Sequence, residues 1–281
     1  MRPSHALGVS LVLAVAAAVA AVCPSRPPAG PATAPVVAAA VADLTQRDLR
    51  AVRALRAATV RVNLPEGHGS GLCRRASDGT VWVWTAGHVA DHAKVPPRGL
   101  SLPGKAAFVP LTVTHFGYTA DDRPADRVEY EAVVVRLDAS RDIALLRLTS
   151  TATRCGSLDF AETPPDLLTP VLCCGSPRGF DGTVTRGVVN FHNRETPFGP
   201  FDQTDAPSVG GNSGGPVATQ TPAGLRVAGL VSGGVGESFT CIVPARVIRA
   251  FAAEEGLLHA FEGDAPPPAN PPDRPIEVAR P

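Results

Sequence analysis

Gly210-Gly211-Asn212-Ser213-Gly214-Gly215-Pro216-Val217 sets one serine among glycines and runs on into an apolar stretch. A serine hydroxyl alone is a poor nucleophile. It becomes a useful one beside a base, on a sharply turned backbone, with N–H groups free to receive a developing negative charge. Glycines serve the last two needs, because they adopt backbone angles closed to other residues and leave their amides uncovered. The same residues also suit an ordinary Gly-rich turn with a capping serine. What precedes Ser213 decides between the two.

The 281 residues are enough for one large core or two small ones. Lys and Arg number 26, as do Asp and Glu, so charge gives no reason to expect nucleic acid or an anionic membrane surface as a partner. The 27 Gly and 29 Pro together make about a fifth of the chain, which suits many short strands and turns. Six cysteines (Cys23, Cys73, Cys155, Cys173, Cys174, Cys241) form no CxxC pair and no zinc-like spacing with histidine. We therefore expect no metal and no cofactor, and one or two disulfides of unreadable connectivity if the chain is exported.

Along the chain, residues 1–22 read as an export signal or a retained anchor. Arg2 and His5 precede an apolar run, and small residues close it. Residues 23–41 are rich in Pro and Ala and read as an extended linker. Leu44, Leu49, Val52 and Leu55 then recur at helical spacing, predicting a short helix over 43–56. From residue 58 the period changes to that of strands. Thr59–Leu64, Gly69–Cys73, Thr80–Thr85, Ala106–Val113, Val128–Leu137, Ile143–Leu148, Leu168–Cys174, Thr183–Asn190, Val217–Thr219, Leu225–Val231 and Phe239–Val243 are the candidates. Ala245–Glu255 reads as a closing helix, and the proline-rich residues 263–281 as a disordered tail.

Two further residues change the reading of Ser213. His88, in Thr85-Ala86-Gly87-His88-Val89, follows a strongly β-prone run and small residues that leave its ring room at a strand end. The other histidines have no such context and read as structural. Asp142 opens the apolar run Ile143-Ala144-Leu145-Leu146. A carboxylate drawn toward a core needs hydrogen-bond donors, and a histidine ring N–H is a suitable one. A strand-start cap or an ion pair with Arg141 would equally account for it.

In the order His88, Asp142, Ser213 these motifs resemble the chymotrypsin-like (trypsin-fold) serine proteases, and most nearly the bacterial Deg/HtrA-type branch. Gly69-Ser70-Gly71-Leu72 and Thr204-Asp205-Ala206 add to the likeness, which covers residues 58–248. The resemblance implies an all-β fold of two packed six-stranded antiparallel barrels, in a protease domain of residues 42–262, with a short N-terminal and a C-terminal helix. It implies a serine endopeptidase acting on protein or peptide substrates through an acyl-enzyme. In it Ser213 would be the nucleophile, His88 the base and Asp142 the orienting carboxylate, with the N–H groups of Gly211 and Ser213 as oxyanion hole. Pro207 and Ser208 would begin the base of the primary pocket and Ser232, Gly233 and Gly234 would line it. No acid falls among these, so a small or medium apolar side chain is the expected preference.

The chain departs from the family in three ways. Asn212 stands where digestive members carry the aspartate that pairs with a newly cut N-terminus, so activation by trimming is not expected. Val89 replaces their cysteine. No PDZ domain is expected after the protease region, and the resemblance carries no oligomeric state to this chain. A catalytically silent trypsin-fold peptide-binding module is the alternative reading. The expected place is exported: periplasmic, extracellular, or tethered to a membrane by the N-terminus.

Overall fold

A computed structural model describes residues 34–95, 107–150, 154–196, 199–236 and 238–263. The expected signal or anchor, Cys23, most of the linker and nearly all of the tail lie outside these residues. The chain divides into two compact units, Met1–Arg47 and Asp48–Pro281. What is described of the first is helical backbone, part of helix α1 (Ala34–Ala58). The helix thus begins inside the stretch read as an extended linker. Alanine is the best helix former, and Pro35 falls in the first turn, where its missing N–H costs no bond. No helix among the described residues is long and apolar enough to cross a membrane.

In the second unit α1 buries Ala51, Leu55 and Ala58. The chain then enters β1 (Thr59–Leu64), β2 (Gly67–Arg75) and β3 (Val81–Thr85). After helix α2 (Gly87–Asp91) come the short pair β4 (Lys94–Val95) and β5 (Ala107–Phe108), then β6 (Leu111–Tyr118), β7 (Pro124–Asp138) and β8 (Ile143–Leu148). Strands β1, β2, β3, β8, β7 and β6 close, in that order, into an antiparallel barrel. The strand expected over 106–113 is split at Pro110, which has no N–H to give a ladder, so that β5 pairs with β4 and β6 starts beyond the proline.

The second barrel is formed by β9 (Pro170–Gly175), β10 (Thr183–Thr196), β11 (Gly199–Thr204), β12 (Pro216–Thr221), β13 (Gly224–Gly234) and β14 (Thr240–Pro244), closed in the order β10-β11-β14-β13-β12-β9. The sequence reading omitted β11. Gly199-Pro200 and the polar Asp202 and Gln203 hide it, yet it is the strand that joins β10 to β14 and completes the closure. Helices α3 (Ala245–Glu254) and α4 (Leu258–Glu262) end the described chain.

The alternation of β3 shows how the core divides. Side chains along a strand point to opposite faces in turn. Val81 and Val83 join Val60, Val62, Val113 and Leu146 in one buried cluster, while Trp82 and Trp84 join Leu145, Leu230, Ile248 and Phe251 in another. Both faces of the strand are therefore buried, and all five of its residues are. Trp84 meets Phe160, Phe251 and Phe261 edge-on and donates its indole N–H to Ala260 O at 3.0 Å.

No disulfide joins the described cysteines. Cys173 and Cys174 are neighbours on β9 and so belong to different core clusters; burial pushes the Cys173 thiol up to about 12. The thiols of Cys73 and Cys155 hydrogen-bond to each other.

Candidate active site

The turn before β8 brings a carboxylate to an imidazole. Asp138 Oδ1 accepts from Ser140 N (2.9 Å), Ser140 Oγ (2.6 Å) and Arg141 N (3.1 Å), which folds residues 138–141 into a tight turn. Burial works against the ionised form of Asp138, but the bonds from Ser140 and Arg141 outweigh it and hold the group below the usual carboxylate range. Asp142 leaves that turn at φ 54°, in the left-handed region, where Asp is one of the few side chains tolerated. Asp142 is buried, and its Oδ1 accepts from the main-chain N–H of His88 at 2.8 Å and lies 3.0 Å from His88 Nδ1; Oδ2 lies 3.1 Å from the same nitrogen.

The carboxylate therefore binds both the backbone and the ring of His88. Nδ1 carries the proton toward it, and Nε2 has no partner among the described residues. The bond to Asp142 raises the imidazole pKa above its ordinary value, against burial, which lowers it. Ser232 Oγ also donates to Asp142 Oδ2. That role was missed in the sequence, where Ser232 was assigned only to a pocket wall. A cleft of about 350 Å³ opens beside the pair, lined by His88, Asp142 and Ser232 with Asp91, His92 and Ala139.

Ser213 lies on the loop between β11 and β12. Gly214 follows at φ +83°, and a Cβ there would stand 2.2 Å from both Ser70 O and Thr85 Oγ1. Only glycine lets the loop press so closely on the first barrel. Gly214 N donates to Val231 O (2.6 Å) and Val231 N to Gly215 O (2.9 Å), which fastens the loop to β13. Ser213 Oγ donates to Ser232 O at 3.3 Å rather than to His88. The N–H groups of Gly211 and Ser213 donate to no acceptor among the described residues, so both remain available to an incoming oxygen.

Of the pocket residues, Pro207 O accepts from Thr185 Oγ1 at 2.8 Å, and Ser208 is buried. Gly233 faces open space. The nearby carboxylate of Asp205 binds Val188 N at 2.7 Å, fixing β10. Two residues without a role in the sequence reading stand against the loop of the serine: Ser70, bonded to Ser213 O and Gly211 O, and His68, which backs onto Gly211, both on β2. Ser70 lies within the Gly69-Ser70-Gly71 motif and His68 directly before it. No group of His, Cys, Asp and Glu among the described residues could hold a metal ion.

Residues 69–225, which include His88, Asp142 and Ser213, match the trypsin-like peptidase domain. The chain is 39% identical over 115 residues to a probable periplasmic serine endoprotease, DegP-like, of Pseudomonas fluorescens, covering 38% of this chain and 24% of that protein. It spans about a quarter of the length of the curated relatives it matches. Among solved structures it resembles the serine endoprotease from Yersinia pestis, with a TM-score of 0.53 and 23% identity over 76% of this chain and 67% of that one. It resembles Deg5 likewise, with a TM-score of 0.56 and 20% identity over 79% of this chain and 98% of that one. At these identities the structural likeness is one of fold. The motif order, the two closed barrels and a match over more than half of the sequence lead to one assignment: the chain belongs to the trypsin-like peptidase domain family.

Proposed function

We propose that this chain is an exported serine endopeptidase. Ser213 attacks a peptide carbonyl, and His88 Nε2 takes its proton and then passes it to the leaving amine. Asp142 holds the ring in the productive tautomer and balances its charge. The N–H groups of Gly211 and Ser213 receive the oxyanion. An acyl-enzyme forms on Ser213 Oγ with release of the amine, and water, activated by the same imidazole, hydrolyses it.

The observation that carries this reading is the double grip of Asp142 on the N–H and Nδ1 of His88, beside a loop whose Gly211 and Ser213 amides are unengaged. The open space at Gly233 and the absence of an acid among the pocket residues support a small or medium apolar side chain at the cleaved position. The periplasmic relatives and the apolar N-terminal run support export.

A second reading has one observation behind it. Ser213 Oγ donates to Ser232 O and not to His88, as a silent peptide-binding module would allow. Catalytic hydrogen bonds often tighten only when substrate is bound, so this does not count against catalysis. The test is cleavage of an unfolded protein substrate by wild type and by Ser213→Ala. Turnover by the wild type alone is expected. Equal activity in both, or none in either with peptide still bound, would favour the second reading.

A further inference from the structure

Ser70 is fully buried, and all its polar atoms are used where the two barrels meet. Its N–H donates to Ser213 O at 2.7 Å, and its Oγ donates to Gly211 O at 2.7 Å. The same Oγ accepts from Ser176 N at 3.0 Å, and its carbonyl accepts from Thr85 Oγ1 at 2.7 Å. His68, on the same strand, donates through Nε2 to Ser176 O at 2.7 Å. Just beyond, Arg178 N donates to Gly210 O at 2.8 Å.

These bonds hold both peptide planes that flank Gly211. A peptide unit is planar and trans, so its C=O and N–H point in opposite directions. With Gly210 O held by Arg178, the N–H of Gly211 must face away from residues 176–178. With Gly211 O held by Ser70, the next plane is fixed as well. Gly211 itself sits at φ +101° and has no side chain to restrain it. A Cβ on Gly211 would stand 2.3 Å from Ser176 O and 2.7 Å from His68 Nε2, so residues 68 and 176 back directly onto it. Asn212, the residue between Gly211 and Ser213, is buried and neutral.

We propose that Ser70 is a positioning residue, which reaches from the first barrel to hold the oxyanion donor Gly211 of the second, with His68 supporting it through Ser176. This rests on the serine-peptidase reading above. Ser70→Ala removes no group that the proposed mechanism places on substrate; it releases the Gly211 plane and, with it, the N–H of Ser176.

The test measures kcat and KM on a peptide substrate, affinity for a peptide boronate whose adduct oxygen occupies the hole, and the amide resonance of Gly211. Removing an oxyanion donor outright costs about 10²–10³ in kcat, so loosening one that stays in place is expected to cost about 10–100-fold. KM should stay within about twofold, and boronate affinity should fall with kcat. The His88 titration should not move, and the Gly211 resonance should shift. Unchanged kcat and boronate affinity in a folded Ser70→Ala protein would overturn the proposal, as would an unshifted Gly211 amide. If Ser70→Ala does not fold, His68→Ala replaces it. The same Gly211 shift and a smaller loss of kcat are then expected, both restored by His68→Gln, which keeps a donor; no shift in His68→Ala would overturn the proposal. If the wild type neither turns over nor binds boronate, the peptidase reading falls, while the Gly211 resonance still decides whether Ser70 sets that peptide.

Discussion

Asp142→Asn tests the triad at its least exposed member. In the structure Asp142 accepts from His88 N–H at 2.8 Å, from His88 Nδ1 at 3.0 Å and from Ser232 Oγ. Asparagine has nearly the same shape, so the turn and the barrel should survive. It has only one acceptor oxygen, however. If that oxygen keeps the main-chain N–H of His88, the new amide donor faces the imidazole and Ser232. Nδ1 must then accept, and the ring proton moves to Nε2. The proposed mechanism requires that nitrogen to take the proton of Ser213, so in it the base is lost while its position is kept. The same exchange in a trypsin-type triad costs about 10⁴ in kcat, equivalent to about 5.5 kcal/mol of transition-state stabilisation. A second consequence has a definite sign. The bond to Asp142 holds the His88 pKa up, and in the proposed mechanism the active form is the neutral imidazole. Activity should therefore rise with pH through that raised pKa in the wild type, and the residual activity of Asp142→Asn should rise at lower pH. The assay is kcat/KM on a fluorogenic peptide across the His titration range, with thermal unfolding as the control for fold. Retention of activity within about tenfold, or an acid limb displaced upward, would refute the reasoning.

Three further outcomes are expected. Trp84→Ala removes a fully buried indole packed on three phenylalanines and leaves Ala260 O without its donor; it should cost about 3–5 kcal/mol in urea unfolding, because the surrounding core relaxes only in part. Asp138→Asn should destabilise the protein by about 1–3 kcal/mol at neutral pH. Since the folded-state pKa of Asp138 is depressed, its contribution is present above the unfolded value and lost as pH falls, so the variant and the wild type should converge in acid. A peptide panel varied at the cleaved position should show Ala and Val preferred to Arg, and the reverse order would contradict the assigned pocket.

Where local pattern and tertiary environment agree, the sequence was read to the residue. Thr59–Leu64 alternates against a buried interior and Ile143–Leu148 is apolar but for the exposed Arg147, and both strands have the expected bounds. Other elements were hidden for identifiable reasons. Strand β11 starts with Gly199-Pro200, which reads as a turn; its pairing with β14 comes from residues about forty positions away. Helix α1 starts earlier than its apolar spacing indicates because alanines extend it without any stripe. His88 and Ser213 stand out in the sequence beside small residues, and Asp142 by opening an apolar run. The roles of Ser70, His68 and Ser232 do not. A buried hydroxyl on β2 acquires its partner from a loop over one hundred positions later, with |i−j| of 141 for Ser70 and Gly211. Nothing in the local sequence of either residue announces the other.

The central claim is that Ser213 is a nucleophile activated by His88. It is tested most directly by treating the purified protein with a fluorophosphonate and locating the adduct by peptide mass mapping. The account predicts one phosphonyl group on the Ser213 peptide of the wild type, and none on Ser213→Ala or His88→Ala. A wild type that stays unlabelled while folded, or a label that maps elsewhere and persists in Ser213→Ala, would contradict it.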